Sequence, residues 1–154
     1  MNMKNVSIKK AIAICIVLVL VLCTTLSGCA GRRSVTTEAF TAACASAGFT
    51  LEDATANFDP SMVSSVLISS TATCSIGYYN FTDASAAKTQ YAQLYSTLSI
   101  GAEGEKHIDS AEYNRFFVSN ENGLAFLYRN GTTLIYCAGD DVDVLSAMID
   151  ELGI

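Results

Sequence analysis

The chain is expected to fold as an α+β domain: an antiparallel β-sheet of about five strands with helices packed on one face, in the order α-β-β-α-β-β-β-α. Three observations predict it. Five short runs rich in β-branched and aromatic residues lie between residues 62 and 139, the composition of strands. Three other segments repeat apolar residues at helical spacing. Asn130-Gly131 separates the last two strand-like runs, and this dipeptide favours a tight hairpin because its turn positions need positive φ.

The elements follow in order. "TTEAFTAACASAGF" predicts a helix, with Phe40, Cys44 and Ala47 on one face and Gly48 as its stop. "MVSSVLISS" and "CSIGYYNF" read as two strands. "TDASAAKTQYAQLYSTL" is an amphipathic helix whose inner face carries Ala84, Ala87, Tyr91, Leu94 and Leu98, with Thr82 or Asp83 as N-cap. "IGAEGEKHIDSAEY" reads as a polar loop. "NRFFVS", "GLAFLYR" and "TTLIYCAG" then form a meander, and "DDVDVLSAMIDEL" closes the chain as a helix burying Leu145, Met148 and Leu152. The arrangement resembles ferredoxin-like and similar sheet-and-helix sandwiches, a likeness of architecture that carries no function.

A two-residue loop at Asn130-Gly131 pairs Leu127 with Leu134 and Leu124 with Cys137. Alternation puts Leu124, Phe126, Tyr128, Ile135 and Cys137 on one face, with Cys74 and Ile76 of the earlier strand. The other face carries Ala125, Leu127, Arg129, Leu134 and Tyr136, with Tyr79 and Phe81. The helices are assigned to the cysteine face. Tyr79, Phe81, Leu127, Arg129 and Tyr136 then form a candidate partner surface, since contiguous apolar patches mark interaction sites; the competing expectation is that this face is covered.

The N-terminus carries a different signal. Lys4, Lys9 and Lys10 precede thirteen apolar residues, Ala11 to Cys23, the pattern of a secretory leader. A helix of that length rises about 20 Å, short of the roughly 30 Å hydrocarbon core. Leu26-Ser27-Gly28-Cys29 follows. This order of basic start, apolar core and four-residue motif resembles the lipobox of bacterial lipoproteins. The resemblance implies that residues 1–28 are a cleaved signal peptide and that Cys29 carries a diacylglyceryl group. It makes residues 29–35 a lipidated cysteine and short tether, and 36–154 a single α+β domain. A thiolate is the nucleophile that accepts such a group, and two acyl chains satisfy the two-signal requirement for stable anchoring. A retained membrane helix is the alternative. Beyond the leader, the chain looks like the small lipoproteins of Gram-positive Firmicutes. That likeness implies an extracytoplasmic location, anchored to the cell membrane by lipid.

Without the leader, six of the nine Lys and Arg residues remain against fifteen acids, a net charge of about −9. No basic stripe exists to neutralise phosphates, so nucleic acid is not an expected partner. Of six cysteines, Cys44, Cys74 and Cys137 lie in the mature domain; buried free thiols are expected, with a Cys74–Cys137 bridge as the alternative. His107, the only histidine, lies in "EKHIDS", where sequence neighbours do not make a triad. "GDDVD" at 139–143 lacks the spacing of a calcium loop and suits a helix N-cap. No motif requires a cofactor or a metal. The sequence therefore predicts a non-enzymatic binding or adaptor module of the cell envelope with an unidentified envelope protein or ligand as partner. An envelope hydrolase using His107 and a structural assembly subunit are its rivals.

Overall fold

Seven strands form one antiparallel sheet in a computed structural model that describes residues 33–154. The elements are α1 (Thr37–Ser46), β1 (Glu52–Asp53), a 3-10 turn (Thr55–Asn57), β2 (Val63–Ser70), β3 (Cys74–Phe81) and α2 (Ala84–Leu98). They continue as β4 (Lys106–Asp109), β5 (Tyr113–Asn120), β6 (Gly123–Asn130), β7 (Thr133–Gly139) and α3 (Val142–Leu152). The strand order is β1-β2-β3-β7-β6-β5-β4. The α+β class and the order of the helices and five principal strands agree with the sequence. The lipobox, Cys29 and the leader lie outside the described residues.

Two expectations are corrected. The sheet has seven strands, not five, because short β1 and β4 add to its two edges. Both edge strands are exposed throughout, so neither shows the apolar alternation that reveals a strand in sequence. The helices also pack on both faces, not one, which departs from the ferredoxin-like sandwich expected. α1 and α3 cover the face of Cys74, Ile76, Tyr78, Phe126 and Cys137. α2 covers the other, packing Ala87, Tyr91, Leu94 and Leu98 against Val66, Phe116, Leu127 and Leu134.

The sheet faces are those that alternation predicts, although the hairpin register differs. Asn130 pairs with Thr133, Leu127 with Tyr136 and Phe126 with Cys137, so the loop residues are Gly131 and Thr132. Gly131 carries the positive φ, +56°, and no non-glycine residue among those described has one. This is the glycine-first pattern of a II′ turn rather than the Asn-Gly I′ turn. The pairing moves by two residues in total, and side chains alternate with period two, so every residue keeps its face.

The helix ends are built as the residues dictate. Thr36, Asp83 and Asp141 are N-caps, each accepting a hydrogen bond from a first-turn amide. After α1, Gly48 adopts φ +82°. Its N–H donates to the Ala45 carbonyl and that of Phe49 to the Cys44 carbonyl, the paired bonds of a Schellman motif. The described chain joins the domain earlier than its first helix. Val35 is buried, and the Tyr128 hydroxyl donates to the Arg33 carbonyl at 2.5 Å.

Candidate functional site

α2 lies over its sheet face with two different flanks. On one flank, Lys88, Tyr91 and Tyr95 recur at helical spacing and meet β4. Lys88 Nζ is 3.8 Å from Asp109 Oδ1. His107 stacks on Tyr95 with ring centroids 4.2 Å apart. On the other flank, Gln90 and Leu94, one turn apart, face a cavity of about 260 Å³. Its remaining walls are Phe58, Asp59 and Met62 before β2, Val63 of β2, Tyr79 and Phe81 of β3, and Tyr136 of β7.

Local sequence explains how these residues converge. Val63 pairs with Phe81 but Ser65 with Asn80, so Ser64 is the extra residue of a β-bulge. Its hydroxyl donates to the Asn80 carbonyl. Without the bulge, strict alternation would send Val63 and Val66 to opposite faces; with it, both belong to the cluster under α2. Tyr79 pairs with Leu134, and Gly77 pairs with Tyr136, making the two tyrosines diagonal neighbours across β3 and β7. The Tyr79 ring lies over Gly77: a Cβ there would sit 2.8 Å from Tyr79 Cε2. Glycine thus provides the space into which Tyr79 leans.

The cavity is mostly apolar, and its exposed lining residues are Phe58, Met62 and Asp59. Phe58 and Met62 remain 41% and 52% exposed, which is unusual for side chains of their size beside one another. Asp59 Oδ1 accepts from the Ser61 amide at 2.9 Å and the Ser61 hydroxyl at 2.8 Å. These bonds hold the Asp59 carboxyl below the usual carboxylate range. Burial pushes the Tyr79 phenol above its ordinary value, and the neighbouring Tyr136 adds to the shift. Both rings are half-buried.

The sequence-predicted surface residues divide. Tyr79, Phe81 and Tyr136 meet in the cavity wall. Leu127 and Arg129 do not belong to it: Leu127 is fully buried. Arg129 is 1% exposed, and its guanidinium donates to Asn114 Oδ1 and to the carbonyls of Ala111 and Gly131. Phe58 and Asp59 escaped the sequence reading because they lie in a stretch assigned to no element, and Met62 because it reads as the first residue of a strand that in fact begins at Val63. The available signal was two large apolar side chains flanking the only proline, Pro60, in a turn-rich segment.

The chemistry considered elsewhere does not assemble. His107 is exposed on β4, not in a loop, and lines none of the described cavities. Cys44, Cys74 and Cys137 are free and buried. Burial pushes the Cys44 thiol up to about 12; Cys137 is raised by burial first and then by the two neighbouring sulfurs. A wider depression of about 720 Å³ lies beside Ser110, Ala111 and Tyr113, but the Ser110 and Ala111 carbonyls there already accept from Arg129. Among the described residues, no helix is long and apolar enough to cross a membrane.

No protein-family model matches the chain, and no curated protein matches it. Among solved structures, a GTP binding regulator from Thermotoga maritima is similar at 12% identity with a TM-score of 0.37. The match covers 57% of this chain and 60% of that one, and so loose a likeness carries no argument about fold or activity.

Proposed function

We propose that this protein is a lipid-anchored binding module on the outer side of a bacterial cytoplasmic membrane, with the cavity beside α2 as its ligand site. The observation that carries the binding role is the convergence of Tyr79, Phe81 and Tyr136 with Phe58 and Met62 around one concave apolar space. Ligand sites are concave, mostly apolar and supplied with a few polar groups, which Asp59, Gln90 and the two phenols provide.

The anchor is supported by the leader pattern ending at Cys29. Three residues, and so four residue-to-residue steps, separate Cys29 from Arg33, whose carbonyl is held by Tyr128. Extended, they reach roughly 14 Å, so a lipid on Cys29 keeps that end of the domain near the bilayer. Arg33 and Val35 belong to the side of the sheet covered by α1 and α3; the cavity lies on the α2 side.

The test joins intact mass and fractionation. Protein extracted from membranes is expected to lack residues 1–28 and to carry a diacylglyceryl group, and Cys29→Ala is expected to abolish both the lipid and the cleavage before residue 29. A full-length, unmodified chain, or a Cys29→Ala protein processed and retained as before, overturns the anchor.

A further inference from the structure

We infer that the cavity beside α2 receives a small organic cation, an alkylated ammonium group held against aromatic rings with Asp59 at the rim. This rests on the binding-module reading and specifies its ligand class. Four of the nine lining residues are aromatic: Phe58, Tyr79, Phe81 and Tyr136. Phe58 and Tyr79 meet nearly at right angles, 78° with centroids 6.1 Å apart. Tyr79 and Phe81 lie 6.4 Å apart at 30°. The rings form a corner rather than a parallel slot for a flat ligand. Aromatic faces carry negative charge density and attract cations, and corners of this kind suit rounded alkylammonium groups.

Charge decides the sign of the ligand. The lining contains one carboxylate and no Lys, Arg or His. The hydrogen bonds from Ser61 keep Asp59 ionised at neutral pH. Residues 33–154 carry five Lys and Arg against fifteen acids, and Arg129 is buried in its own network. A carboxylate or phosphate ligand therefore approaches a repelling field. Size sets a second limit: about 260 Å³ lies just below the roughly 300–1,000 Å³ of pockets for drug-sized ligands. The space fits a solute of a few heavy atoms, with Tyr79 and Tyr136 lining it to meet a ligand hydroxyl.

Calorimetric titration of the full-length protein in maltoside micelles tests this, with choline and its uncharged isostere 3,3-dimethylbutan-1-ol as probes. Choline is expected to bind about tenfold more tightly than the alcohol. Asp59→Asn, which keeps an acceptor for Ser61, is expected to weaken choline severalfold and leave the alcohol unchanged. Because Asp59 is exposed, that variant does not disturb the core; Tyr136→Leu, checked for folding by circular dichroism, is expected to weaken choline about tenfold. Glycerophosphocholine distinguishes a lipid headgroup from a free solute. It is expected to bind more weakly than choline because its phosphate meets the acidic rim, and tighter binding overturns the free-solute assignment. Equal or tighter binding of the alcohol overturns the cation class while leaving the cavity a ligand site. No binding of either probe up to about 50 mM overturns both, without bearing on the Cys29 anchor.

Discussion

Arg129 shows how a residue's face and its role separate. Alternation along β6 places it with Leu127 on the α2 side, and the structure keeps it there. A charged side chain at that position reads as a surface feature in sequence, yet it is enclosed because three elements turn their polar groups toward it. Its Nε donates to Asn114 Oδ1, and Asn114 Nδ2 donates to Asp109 Oδ1, so the amide relays between guanidinium and carboxylate. Burial works against the charge, and Asp109 works for it. Removing one partner of a buried network leaves the others unsatisfied, so Arg129→Ala is expected to cost about 3–5 kcal/mol in urea unfolding. Arg129→Lys is expected to recover less than half, because an ammonium cannot reach Asn114 and the carbonyls of Ser110, Ala111 and Gly131 with the fixed fork of arginine. A loss within the error of the measurement would show that the network contributes nothing to stability.

At the scale of elements, capping and bulging explain why the cavity has walls. α2 starts where Asp83 accepts the Ser85 amide at 2.6 Å, and bonds from Ser85 hold its carboxyl below the usual range. A lowered folded pKa stabilises the fold above the unfolded value of about 3.9, and the contribution is lost as pH falls through the folded pKa. Asp83→Ala is therefore expected to lower the thermal midpoint at neutral pH, with the gap to the parent narrowing below about pH 4. A gap constant from neutral to strongly acidic solution would remove the charge from the account. The cap of α2 was legible in sequence to within one residue, Thr82 or Asp83, since Asp or Thr before an apolar-periodic run is a local signal. The bulge at Ser64 was not: "MVSSVLISS" reads as a strand, but whether Val63 faces with Val66 depends on how β3 pairs with it. β4 was missed for a related reason, as Lys106–Asp109 is a strand only because β5 accepts it as a neighbour.

For the whole molecule, the folded body reaches back to the residues expected to serve as tether. Val35 packs in the cluster of α1 and α3, and Tyr128 holds the Arg33 carbonyl. A domain beginning at Thr36 is expected to be about 2 kcal/mol less stable than one beginning at Arg32, from one valine's burial and one hydrogen bond. Equal urea midpoints would place residues 33–35 outside the stabilising core. Periodicities of 2 and 3.6 residues, turn glycines, capping acids and the basic-apolar-cysteine pattern are properties of short stretches. These local signals carry the α+β class, the two faces of β3, β6 and β7, and the expectation of an anchor at Cys29. Tertiary structure alone decided which face each helix covers, that two exposed strands complete the sheet, that Arg129 is enclosed, and that Phe58 and Met62 meet Tyr79 and Tyr136. Those outcomes depend on contacts between segments far apart in the chain, and no local period encodes which distant surface will arrive to bury a given face.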